Sequence, residues 1–286
     1  MKHLLRWTGI ALGSVTGLVI VAYAATYVLS ERVLQHTYAI PMVAISIPTD
    51  PASIIEGRRL ATIRGCFGGC HGKQAEGAVM LDEPMIGHVV APNLTAVVRE
   101  YNNAELAVAI RNGLRPDGRS LMVMPAEAFV SLTDEDLGRI IAFLKSLPAV
   151  EGPGPSVSLG PVGRIGVAIG QFKTAAQLIT ETVPPPDATG DEAAYGRYLA
   201  RTTCAQCHGT GLRGDSNPDF TSPSLQLVAA YSPQAFVHLV RDGVALGGRN
   251  LRTMSPWARS LLSHLTDSEI AAIYSYLHTM PEAAKK

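Results

Sequence analysis

Two short runs of this 286-residue chain hold side chains whose types and spacing could do chemistry: "RGCFGGCHGK" at 64–73 and "TTCAQCHGTG" at 202–211. In the second, Cys204, Cys207 and His208 stand in the spacing Cys-x-x-Cys-His. Two thiols so placed can add to the two vinyl groups of a haem while the adjoining histidine ligates the iron. On a helical turn residues i and i+3 share a face, so both sulfurs reach one porphyrin edge. Zinc is the rival for such a pair, but it needs neither a histidine directly after the second cysteine nor a methionine further on. A disulfide between i and i+3 is the blander alternative, which export would permit.

The first run is a variant, with three residues between Cys66 and Cys70 and His71 next. Two frames are open. In one, Cys66 and Cys70 both bond the haem, since i and i+4 still share a helix face and Gly68–Gly69 can absorb a bulge. In the other, Phe67 stands where the first cysteine belongs, only Cys70 is attached, and Cys66 is a free thiol. The two-bond frame is the expectation, because a spare thiol beside haem invites oxidation.

The distal side of each iron needs a second ligand, and a repeat points to it. Met124 lies three residues after "GRSL" and Met254 three residues after "GRNL". A thioether is a soft ligand that raises haem potential relative to histidine. Met122 competes with Met124, and the repeat alignment favours Met124. Met80, Met85 and Met280 read as packing residues. His88, His238 and His264 do not recur between the copies and read as ordinary histidines; His3 and His36 flank the N-terminal apolar segment.

The elements that must position these groups occur twice. "GRRLATIRGC" (57–66) is echoed by "GRYLARTTC" (196–204), "APNL" (91–94) by "SPSL" (222–225), and "IRNGLRPDGRSLMVMP" (110–125) by "VRDGVALGGRNLRTMSP" (240–256). "LTDEDLGRIIAFLKSLP" (132–148) is echoed by "LTDSEIAAIYSYLHTMP" (265–281). The last pair predicts helices capped by Thr133 and Thr266, with apolar stripes at i, i+3, i+4 and i+7. Helices are also predicted over 57–65 and 196–203 before the cysteines, and over 103–112 and 233–242. Strand alternation is absent, so the expected fold is all-α: two tandem helical domains after an N-terminal transmembrane helix. The domains are expected at 51–149 and 191–286. Between them lies a Pro/Gly-bounded linker, 150–190, whose middle (164–179) has helical spacing suited to packing across both units.

At the N-terminus, Lys2, His3 and Arg6 precede an uncharged run from Trp7 to Ser30, long enough to cross a bilayer, which takes ~20 residues. The basic flank places that end in the cytoplasm and the remainder outside it. Ala22-Tyr23-Ala24 fits a signal-peptide cleavage site, but apolar character continues to Leu29, so residues 1–30 are expected to remain as an anchor, with 31–50 as a tether. Net charge is zero and only 17% of residues are charged, with no basic arm, which excludes nucleic acid as a partner.

The order Gly-x-x-Leu, Cys-x-x-Cys-His-Gly, Pro-Asn-Leu-Thr, Arg-x-Gly, Met-Pro, Leu-Thr-Asp-x-Asp and a helix ending Ser-Leu-Pro resembles class I cytochrome c domains. It is similar in particular to membrane-associated cytochromes c and the cytochrome subunits of periplasmic dehydrogenases. The resemblance covers roughly 51–148 and 191–281. It implies two covalently bound haem c groups, with His71 and Met124 on the first iron and His208 and Met254 on the second. It implies electron transfer, not catalysis, on the periplasmic side of a bacterial inner membrane. The implied partners are a dehydrogenase, a quinol-oxidising complex, a soluble cytochrome or a terminal oxidase. A dihaem peroxidase is the alternative, which would lack one methionine or let it be displaced. No Rossmann glycine fingerprint, Gly-x-Ser-x-Gly or His-Glu-x-x-His motif is present.

Overall fold

Two glycines set the frame. A computed structural model describes residues 2–181, 192–216 and 221–280. After α1 (Lys2–Leu34), the first unit holds α2 (Pro51–Ile63), α3 (Leu94–Glu100), α4 (Asn103–Asn112), α5 (Ala126–Phe129) and α6 (Asp134–Ser146). The intervening segment adds α7 (Pro161–Ala168) and α8 (Ala175–Glu181). The second unit holds α9 (Glu192–Thr203), α10 (Ala205–His208), α11 (Pro233–Asp242), α12 (Met254–Ser260) and α13 (Asp267–His278). In each unit the first and last helices cross at a glycine. A Cβ on Gly57 would lie 1.9 Å from the carbonyl oxygen of Arg139, and one on Gly196 would lie 2.1 Å from that of Ala272. Arg139 and Ala272 each stand six residues beyond their N-caps, Thr133 and Thr266, so the two crossings are equivalent.

The helices at 103–112 and 233–242 keep the bounds expected from the sequence, and each ends on a left-handed glycine, Gly113 or Gly243. Helix α2 starts earlier than expected, at Pro51, because Asp50 accepts a hydrogen bond from the Ser53 N–H at 2.9 Å and Pro51 is preset for a first helical turn. The chain is mainly helical, as expected, with one small sheet that periodicity did not disclose. Strands β1 (Ala78–Glu83), β2 (Gly87–Ala91) and β3 (Ser156–Leu159) pair antiparallel in that order. An irregularity between Val79 and Leu81 breaks the in–out alternation of β1 that would have marked it. Among the described residues the second unit has two-residue strands, β4 (Asp215–Ser216) with β5 (Thr221–Ser222) and β6 (Val244–Ala245) with β7 (Arg249–Asn250).

The connecting segments dock mainly on the first unit and α1, where packing across both units was expected. β3 extends the sheet of the first unit, α8 packs on α4 and α5, and α7 packs on α1. The helical spacing over 164–179 thus resolves into two helices that serve the first unit and α1, not a bridge across both units. The closing Pro-rich stretch, 182–190, lies outside the described residues. Residues 37–47 also lie along the first unit: Tyr38 N–H donates to Gly118 O at 2.9 Å, and Val43, Ile45 and Ile47 pack on the core.

One core runs through both units, joining Leu60, Ile63, Ile140 and Phe143 to Leu199, Phe236, Ile270 and Leu277. Reciprocal contacts hold them face to face. Arg59, two residues past the first crossing glycine, bonds both carboxylate oxygens of Glu269 in α13, at 2.7 and 2.8 Å. Tyr198, two residues past the second, donates to Asp136 in α6 at 2.5 Å. Asp136 also receives the buried Arg64 at 3.2 Å, and Arg64 reaches Thr202 at 3.3 Å.

Candidate haem centres

At the second site the chain stays helical. Cys204 N–H donates to Ala200 O, and His208 N–H donates to Cys204 O at 3.0 Å, so α9 runs almost unbroken into α10. This places Cys204 and Cys207 on consecutive turns, as the i, i+3 argument requires. Burial pushes the Cys204 thiol up to about 12 and raises Cys207 as well, which describes apolar, protonated thiols and not reactive thiolates.

The first site reaches its histidine by a longer route. Fourteen residues separate Gly57 from His71, whereas twelve separate Gly196 from His208. The surplus is therefore two residues, one before the first cysteine and one between the pair. Wide turns absorb both: Cys66 N–H donates to Ala61 O at 2.9 Å and Cys70 N–H to Gly65 O at 2.8 Å, each across five residues. Gly65 and Gly68 carry these turns at φ +75° and +77°. The expected absorbing pair was Gly68 and Gly69, and only Gly68 of the two is left-handed. Cys66 is buried, with its thiol pushed up to about 12 by that burial. Phe67 turns its ring edge-on to Phe143 at 5.2 Å, beneath Arg58.

Downstream of the histidine the copies coincide. His71 Nδ1 lies 2.9 Å from Pro92 O, and His208 Nδ1 lies 2.9 Å from Pro223 O. A carbonyl only accepts, so each imidazole carries its proton on Nδ1 and leaves Nε2 as a free lone pair, the form a metal takes. Burial lowers both histidine pKa values, which favours that neutral form. Four residues on, Ala75 and Leu212 sit at φ 64° and 55°, and six residues on, Gly77 and Gly214 sit at 93° and 92°. The N–H groups of Gly77 and Gly214 return to the carbonyls of His71 and His208 at 2.8 and 3.0 Å. These loops wrap each imidazole in backbone, and the bulky, buried Leu212 in a left-handed conformation marks how tightly the geometry is specified. Pro92 and Pro223 were not singled out from the sequence. Their signal was the repeated "APNL" and "SPSL", in which a proline precedes the cap of the next turn: Asn93 for α3 and Ser224 for the 3₁₀ turn at Leu225–Ala230.

Both methionines lie on segments tied back to a left-handed glycine. Leu121 N–H donates to Gly113 O at 2.7 Å before Met124, and the Ser255 hydroxyl donates to Gly243 O beside Met254. Met124 and Met254 are half-buried against the shared core, whereas Met122 does not pack on it. The other histidines have partners elsewhere: His88 on Asp82 at 2.9 Å, His238 on Asp242 at 2.8 Å, and His36 edge-on to Tyr38. The carbonyl of His264 accepts from Arg59 at 3.2 Å.

The two sites adjoin. Helix α5, just past Met124, touches α9 and α10, which carry Cys204–His208. Trp257, just past Met254, comes within 3.3 Å of where a Cβ on Gly65 would stand. No cysteine is in a disulfide. No group of three or more His, Cys, Asp or Glu is gathered in one place among the described residues.

Residues 54–148 match the cytochrome c family, and residues 191–277 match the family described as cytochrome c oxidase, cbb3-type, subunit III. The fructose dehydrogenase cytochrome subunit of Gluconobacter japonicus is 26% identical over 274 residues, covering 83% of this chain and 56% of that protein. The cytochrome c subunits of alcohol dehydrogenase (quinone) from Gluconacetobacter polyoxogenes and Komagataeibacter europaeus are each 24% identical over 259 residues, covering 78% of this chain and 54% of theirs. The chain spans about half the length of these curated relatives. They are electron-transfer components of dehydrogenases, and the peroxidase alternative finds no support among them. Both halves of the chain are cytochrome c domains, which implies two covalently bound haem c groups.

Proposed function

We propose that this pair of cytochrome c domains passes electrons, outside the cytoplasmic membrane, from a dehydrogenase partner to an acceptor. A quinol-oxidising complex is the alternative donor, and the candidate acceptors are a soluble cytochrome or a terminal oxidase. The observation that carries the reading is the repeated histidine loop: both imidazoles are locked by a proline carbonyl in the tautomer that offers Nε2 to iron. Each haem supplies a one-electron couple. The chain's own residues do the rest. Cys66 with Cys70, and Cys204 with Cys207, would hold the porphyrins as thioethers. His71 and His208 are oriented through Nδ1 to offer Nε2, and Met124 and Met254 would supply soft sulfur ligands, which would leave no site for substrate. Support for two bonds at the first site is that the Phe67 ring is committed to Phe143 and Arg58, so it does not stand in for a missing cysteine.

The domain limits proposed are 51–149 and 191–286. Helix α1 is long and apolar enough to cross a membrane, and we place it in the inner membrane with Lys2, His3 and Arg6 on the cytoplasmic side. The relatives' names place their cytochromes beside a fructose or an alcohol dehydrogenase. For this chain the proposal is a dehydrogenase partner of that general kind, its substrate left open.

Intact mass and haem-peptide mapping of the purified full-length protein test the attachment: two haems on 64–73 and 202–211 are expected, and a single haem would overturn the reading. Reduction by a co-purifying dehydrogenase, without rapid carbon monoxide binding at either haem, tests the role. Rapid carbon monoxide binding with peroxide turnover would refute it.

A further inference from the structure

Helix α7 is built inside out. Its buried face holds Gly163, Gly166 and Val167, while its outer face leaves Val162 44%, Ile165 45% and Ile169, at its C-cap, 72% exposed. The glycines are needed where they are: a Cβ on Gly163 would stand 1.9 Å from Ile86 O, and one on Gly166 would stand 2.4 Å from the Phe172 ring. A water-facing helix normally does the reverse, with small and polar residues outside and branched apolar ones within. Met85, 58% exposed, continues the stripe, because Val162 N–H donates to its carbonyl at the start of α7.

The position of α7 says what covers the stripe. Along α1 only Ser30 is buried, and α7 is what lies against it: Arg164 bonds Ser30 Oγ and Glu31 at 3.0 Å each and stacks on the Tyr27 ring at 3.9 Å. Trp7 and Tyr27 are twenty residues apart, about 30 Å of helix, which equals the hydrocarbon thickness of a bilayer. Aromatic residues at that separation mark the two interfaces of a spanning helix. Tyr27 then lies at the outer boundary with Arg164 held against it by Ser30 and Glu31, and the exposed Arg32 reaches the headgroups.

We propose that α7, with Met85, is an interfacial membrane element: its Val162–Ile165–Ile169 stripe lies in the outer leaflet at the base of α1, and so fixes the haem domains at one orientation and height over the lipid. This rests on α1 being a membrane anchor. Two attachments, the span and the α7 stripe, remove the swivel that a single helix would leave.

The test uses the full-length haem protein in phosphatidylethanolamine–phosphatidylglycerol vesicles containing a phospholipid with a photoactivatable diazirine in its acyl chain. After irradiation, tryptic peptides are mapped. Lipid adducts are expected on α1 and on 165–173, the latter about tenfold above 242–249, a control that also exposes a leucine, Leu246. Ile165→Glu combined with Ile169→Glu should remove most adducts from 165–173 and leave those on α1 unchanged; both side chains are exposed, so the fold is not at stake. Adducts on α1 with 165–173 no higher than the control overturn the proposal and leave the anchor standing; a second copy or another protein seated on the stripe would give that pattern. Unchanged labelling in the double variant also overturns it. An unlabelled α1 refutes the anchor itself.

Discussion

Approaching their histidines, the two attachment turns differ by two residues; leaving them, they take left-handed conformations at the same successive positions, Gly72, Ala75 and Gly77 matching Gly209, Leu212 and Gly214. The second site is a continuous helical run from α9 into α10. The first breaks that run into wide turns that only Gly65 and Gly68 make inexpensive. The part held constant is the imidazole, its proline carbonyl and the loop between them. The part allowed to vary is how the first sulfur arrives. An iron ligand must be placed to a fraction of an ångström and in one tautomer, whereas a thioether on a flexible vinyl carbon tolerates a longer approach.

That equivalence is broken most directly at the ligands. His71→Ala and His208→Ala should each abolish the low-spin spectrum of one haem and leave the other intact. A variant that silenced both, or neither, would mean that the copies are not parallel. Next in size, Gly57→Ala and Gly196→Ala force a Cβ onto a carbonyl at the helix crossings, and each should cost about 3 kcal/mol in denaturant unfolding. Unequal losses would show that one crossing yields where the other does not.

The reciprocal bridges between units are a smaller and asymmetric pair. Burial alone would raise the Glu269 carboxyl, but bonds from Arg59 and from the Thr266 cap overturn this and hold it below the usual range. A depressed folded pKa gives stability that is full above the unfolded value and is lost as pH falls through the folded one. Glu269→Gln should therefore cost about 2 kcal/mol at neutral pH and flatten the acid limb of the stability profile below pH ~4. Tyr198→Phe, which removes the other bridge, should cost about 1 kcal/mol with no such change of slope. Least costly in energy is Cys66→Ser. The haem should remain on Cys70, with one thioether fewer in the peptide mass and an altered reduced spectrum. An unchanged mass and spectrum would sink the two-bond frame.

Much of this was legible in advance because it rests on local chemistry. Thr133 and Thr266 cap as their hydroxyls require, and Asn103–Asn112 and Pro233–Asp242 end where a glycine can turn left-handed. What escaped depends on partners distant in the chain. Strand β3 is recognisable only once β2 is beside it, and the docking of α8 only once α5 is in place. Gly57 and Gly196 read as helix residues with poor propensity until the carbonyls of Arg139 and Ala272 explain them. Pro92 and Pro223 were visible as a repeated letter, but the carbonyl that locks the histidine belongs to the backbone, and residue type does not report where a backbone oxygen points.

The crossing bridges carry one more meaning. Arg59 of the first unit meets the third residue of the second unit's terminal helix, and Tyr198 of the second meets the third residue of the first unit's. Position i touching j while j touches i is the signature of an isologous interface around a two-fold axis. This polypeptide holds such an interface within itself, as a homodimer written into one chain. Two identical chains would be bound to repeat every contact. Here one bridge is a buried ion pair and its counterpart a tyrosine hydroxyl, an inequality open only to halves that are covalently joined.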